Sequence, residues 1–119
     1  MAGQGKLERA ILRALWEHPD GMTARQVADV LPGRDRATTT VLTVLDRLRQ
    51  KDLATRDELT RPHIYRAAIS REDYIAAMML DALGQTADRD AALTRFLGGV
   101  TDTDTAHLRR ALRRARPPQ

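Results

Sequence analysis

Ala37-Thr38-Thr39-Thr40-Val41-Leu42-Thr43-Val44-Leu45-Asp46-Arg47-Leu48 is the stretch on which the reading of this chain turns. Val41, Val44, Leu45 and Leu48 recur at the spacing of one helix face, with Leu42 on its flank. The opposite side carries Thr38, Thr39, Thr40 and Thr43. Threonine is β-branched and a mediocre helix former. A surface selected for helicity alone would carry alanine, glutamate or lysine, so these threonines need another explanation. The expected helix covers residues 36–50, with Asp35 as its cap.

Upstream, Thr23 and Gln26 form a capping-box pattern, flanked by Met22 and Val27 as a hydrophobic staple. They open a short second helix that closes at Leu31-Pro32-Gly33. A first helix is expected from Lys6 to Glu17, with Leu7, Ile11, Ala14 and Leu15 on one face and Leu12 and Trp16 widening the stripe. Pro19 and Gly21 end it. Downstream the period changes to that of strands at 53–57 and 63–67, and the five-residue loop Glu58-Leu59-Thr60-Arg61-Pro62 suits an antiparallel hairpin. Beyond Ser70, with Asp73 three residues on, the pattern is helical again: 71–85, 89–97 and a last helix that begins after Thr101, with Asp104 three residues on, and continues to about Arg114.

The expected class is mainly α with a small β-hairpin: a winged helix-turn-helix over residues 1–69, then a helical region over 70–119. In such a unit the second helix crosses the DNA backbone and the third enters the major groove. Thr39, Thr40, Thr43 and Arg47 face away from the apolar stripe and are the candidate base readers. Arg36, near the helix start, suits a phosphate, and Arg61 at the hairpin tip suits the adjacent backbone or minor groove. A threonine-rich surface with scattered arginines also occurs on helices without a ligand. The order of elements and the local charge favour double-stranded DNA as the partner.

Composition bounds the alternatives. The chain has 119 residues, a net charge of +4, 42% hydrophobic and only 3% aromatic residues, so its core is aliphatic. The basicity is uneven: residues 105–119 hold five arginines and no acid, while 34–71 hold nine Lys/Arg against five Asp/Glu. The terminal arginines read either as a solvated face or as non-specific DNA contacts. With no cysteine, thiolate metal sites and cysteine nucleophiles are excluded. His18, His63 and His107 lie far apart, Ser70 reads as a cap, and no glycine-rich phosphate loop is present, so neither a catalytic site, a metal site nor a cofactor is expected. No apolar run reaches membrane-spanning length and no export signal is seen, which predicts a cytoplasmic protein without a membrane partner.

Residues 37–48 followed by Lys51-Asp52-Leu53 resemble the recognition helix of the penicillinase repressor family, which includes the methicillin-resistance repressors and the copper-responsive repressors. Leu7–Trp16 is similar to that family's opening helix, and Thr23–Val27 to the start of its second. The resemblance spans nearly the whole chain in the same element order. It implies a homodimeric repressor on a palindromic operator before a resistance or stress gene, with Thr39, Thr40, Thr43 and Arg47 facing the DNA. Leu42 stands where the staphylococcal members carry arginine, and Ala37 where they carry a capping serine. Copper sensing through the cysteine cluster of the copper branch is excluded.

Two-fold dimers place two recognition helices about one DNA turn apart. The apolar faces of the helical region exceed what three short helices bury among themselves. Phe96, Leu97, Leu108 and Leu112 are the expected dimer-interface residues, with Met78 and Met79 divided between interface and internal core. The resemblance also implies release of repression through a sensor protease that cuts at Arg95-Phe96, although ordinary packing explains Phe96 equally. The alternatives are a winged helix serving as a protein-interaction module, or a regulator with an effector in its helical region.

Overall fold

α1 (Ala2–Glu17) buries Ile11, Leu12, Ala14 and Leu15, so Leu12 belongs to the centre of the core rather than to its flank. The computed structural model describes residues 2–33 and 37–115. The first helix begins earlier than its apolar pattern, because the glycines at 3 and 5 weaken a helix without ending it. α2 (Ala24–Val30) has seven residues, too few to hold on propensity alone. Its capping box is complete: Gln26 N donates to Thr23 Oγ1 at 3.1 Å, and Thr23 N donates to Gln26 Oε1 at 2.9 Å. Thr23→Ala should therefore cost about 1 kcal/mol of stability, read as a lower urea midpoint at unchanged slope.

α3 (Thr38–Gln50) starts later than expected. Its N-cap is Ala37, whose side chain makes no capping hydrogen bond, and Asp35 lies outside the described residues. The C-terminus compensates with a full Schellman motif. Leu53 N donates to Leu48 O at 2.8 Å and Asp52 N to Arg49 O at 3.0 Å. Asp52 holds the left-handed position at φ 62°, where a short polar side chain is tolerated better than most.

β1 (Ala54–Asp57) pairs antiparallel with β2 (Ile64–Ala67) in the register Ala54↔Ala67 to Asp57↔Ile64. The loop between α1 and α2 adds an isolated bridge to this hairpin: Met22 N donates to Tyr65 O at 3.0 Å and Tyr65 N to Met22 O at 2.7 Å. Gly21 makes that approach possible. Its φ is 100°, and a Cβ there would run into the Ile64 side chain and sit 3.2 Å from the Tyr65 carbonyl oxygen.

α4 (Arg71–Leu83), α5 (Arg89–Gly99) and α6 (Asp102–Ala115) complete the chain. Each is opened by a side chain. Asp73 N donates to Ser70 Oγ at 3.0 Å, Ala91 N to Asp88 Oδ1 at 3.0 Å and Asp104 N to Thr101 Oγ1 at 3.0 Å. Gly98 and Gly99 remain helical, and α5 ends at Val100 instead.

Two compact units result, Met1–Ile75 and Ala76–Gln119, so the division falls inside α4. Among the described residues, all of the buried hydrophobic side chains lie in the first. Ile11, Leu12, Leu15, Val27, Val41, Leu45 and Leu48 are its fully buried centre, closed by Met22, Ala54 and Tyr65. The first residues of α4 join this unit through Trp16. The indole Nε1 donates to Ile69 O at 2.8 Å, Tyr74 meets the ring edge-on with centroids 5.8 Å apart, and the Arg71 guanidinium lies 5.2 Å above it. Burial, with a smaller contribution from the Glu8 carboxylate, pushes the Tyr74 phenol up. In the second unit the described residues include no buried side chain.

Candidate nucleic-acid interface

Four α3 side chains facing the interior are packed, which fixes what the helix can present outward. With Val41, Val44, Leu45 and Leu48 in the core, Thr39, Thr40, Leu42, Thr43 and Asp46 are exposed and Arg47 is half-buried on the edge of the same surface. Thr39, Thr40, Thr43 and Arg47 are thus brought together on one helix. Arg36 lies outside the described residues. The Thr43 hydroxyl donates to the Thr39 carbonyl oxygen at 3.0 Å, so its proton is used within the helix.

Asp46 is an acid on this predominantly neutral surface. Arg49 Nη1 donates to its Oδ1 at 3.2 Å and Gln50 Nε2 to its Oδ2 at 3.3 Å, which offsets its repulsion of a phosphate backbone. Such exposed pairs contribute little to stability. Here their importance is local charge balance.

The hairpin tip is shaped by its own polar side chains. Leu59 N donates to Asp57 Oδ1 at 2.9 Å, Thr60 Oγ1 to Asp57 O at 3.1 Å, and Ile64 N to Thr60 Oγ1 at 3.2 Å. Arg61 folds back on this loop. Its Nη1 donates to Glu58 O at 2.9 Å and Thr60 O at 3.0 Å, and lies 3.2 Å from His63 Nδ1. To reach a phosphate, the guanidinium must give up or share these contacts. Leu59 projects from the tip, 96% exposed.

Glu58 connects hairpin and helix. It is hydrogen-bonded by Arg56 and lies 3.9 Å from Arg49 Nη2. The Arg56 guanidinium holds the Glu58 carboxyl below the usual carboxylate range, and Glu58 in turn raises Arg56. A further ion pair sits at the base of α3, where Lys51 Nζ donates to Glu8 Oε2 at 2.8 Å across 43 residues of sequence. Glu8 is buried and Lys51 exposed, so the pair closes the end of α3 against α1. Glu8 and Glu58 had no sequence signal, because each meets its partner only after the chain turns back.

A short helix, a turn, a helix with a solvent-facing surface of threonines and arginine, and then a hairpin define a winged helix-turn-helix unit. The pattern of the family described as Penicillinase repressor matches residues 4–114. The chain belongs to the penicillinase repressor family: it is a winged-helix DNA-binding transcriptional regulator, not an enzyme. The Transcriptional regulator BlaI of Mycobacterium tuberculosis strain CDC 1551 / Oshkosh is 42% identical over 112 residues, covering 91% of this chain and 81% of that protein. The same figures hold for the Transcriptional regulator BlaI of strain ATCC 25618 / H37Rv. A solved structure of a mutant of S. aureus MepR is 19% identical with a TM-score of 0.46, covering 90% of this chain and 74% of that one. Among the described residues no helix is long and apolar enough to cross a membrane.

Proposed function

We propose that the protein is a homodimeric repressor whose two α3 helices read the halves of a palindromic operator and block transcription initiation. The observation that carries the dimer is the second unit. It leaves Phe96, Leu97 and Leu112 exposed, at 44%, 56% and 69%, and it carries a mainly apolar groove of about 660 Å³ lined by Met79, Leu80, Leu83, Leu93, Phe96 and Leu108. A patch of this kind without a partner is unfavourable in water, and a second copy of the same patch covers it. Leu108 is half-buried among these helices, so Phe96, Leu97 and Leu112 are the stronger interface residues.

Thr39, Thr40, Thr43 and Arg47 then contact operator bases, while Arg36 and Arg61 hold phosphates. Arg47→Ala should weaken binding to the specific duplex by about 1–3 kcal/mol if the guanidinium pairs with a base edge. Equal losses on specific and shuffled duplexes would reduce Arg47 to a phosphate contact. Release of repression is assigned to cleavage of Arg95-Phe96 by a sensor protease. That bond lies within α5, so cutting it requires the helix to open. Intact mass measured on the protein recovered from induced cells tests this route directly.

A further inference from the structure

Residues 38–45, the half of α3 that leads into a major groove, carry no charged or amide side chain; the first is Asp46, already engaged by Arg49 and Gln50. This half therefore lacks the arginine–guanine and asparagine– or glutamine–adenine pairs that give bidentate readout. Its exposed surface consists of Thr39, Thr40, Leu42 and Thr43. The Thr43 hydroxyl proton is committed to Thr39 O, which leaves its lone pairs and its methyl for a base edge. Leu42, 41% exposed, stands one helical turn beyond Thr39 and adjoins Thr43 on the same surface. Beside the threonine hydroxyls, what this half presents is apolar, the Leu42 side chain and the threonine methyls; such a surface suits a methyl group, and in the major groove only thymine carries one.

We propose that Leu42 is a specificity-determining residue that reads a thymine C5-methyl group in each operator half, with the threonine methyls beside it. The inference rests on the operator reading above and deepens it. The exposed part of Leu42 becomes buried apolar surface when it meets a thymine methyl.

The test uses the full-length protein and a duplex enriched by it from a random pool, remade with each thymine replaced in turn by deoxyuridine, which lacks only the methyl. At one thymine in each half, affinity should fall about four-fold, and roughly 15-fold when both halves are changed. Leu42→Ala, a surface change that leaves the core intact, should bind the thymine and deoxyuridine duplexes equally. If specific binding is seen but no deoxyuridine duplex binds more weakly, the methyl reading is overturned while the operator reading stands. If Leu42→Ala keeps the full thymine preference, a threonine is the reader and the assignment to Leu42 is overturned. If no duplex is enriched at all, the operator reading fails and this inference with it.

Discussion

Leu45→Ala is expected to lower the stability of the folded chain by about 2–5 kcal/mol, the usual cost of emptying a fully buried leucine site. Leu45 is 0% exposed and shares the core with Leu48, Val41, Ile11, Leu12 and Leu15. A unit of this size has only about 5–15 kcal/mol in total, so the loss is a large share of it. Urea unfolding followed by helical ellipticity reads the change. DNA binding should fall with it, because the outer surface of α3 is held in place mainly by the packing of its inner one. A loss below about 1 kcal/mol would mean that Leu45 is not packed as described.

The second large effect is on assembly. Leu112→Asp should halve the mass seen by light scattering, since it puts a carboxylate into an apolar interface. The side chain is 69% exposed in one chain, so the substitution leaves the fold of that chain intact. Losing the second half-site contact should weaken operator binding by about 100-fold or more. Leu97→Asp, on α5, should behave alike. An unchanged mass for both variants would place the dimer elsewhere.

Much of this was legible in the sequence because the deciding signals are local. The capping box at Thr23, the Ser70 and Thr101 caps, the 3.6-residue period of α3 and the change of period at Leu53 depend on near neighbours. The resemblance carried by residues 37–48 gave the family as well. What escaped depends on distant partners. The Met22–Tyr65 bridge, the Glu8–Lys51 pair and the Glu58 link between α3 and the hairpin join residues that only the fold brings together. The sequence puts the start of α3 at Arg36 because Asp35 is a better cap by type than Ala37, yet the helix opens without a side-chain cap. On the candidate surface, the residue types were readable but the internal use of the Thr43 hydroxyl and the folding back of Arg61 were not, since both depend on side-chain geometry.

Fluorescence anisotropy of the full-length protein on the enriched duplex and on its shuffled counterpart, across a salt series, tests the central claim most directly. Sequence-specific repression predicts saturation at one dimer per site, with the enriched duplex bound at least about 1,000-fold more tightly at physiological salt. Equal affinity for the two duplexes, vanishing together as salt rises, would reveal purely electrostatic binding and contradict an operator-reading α3.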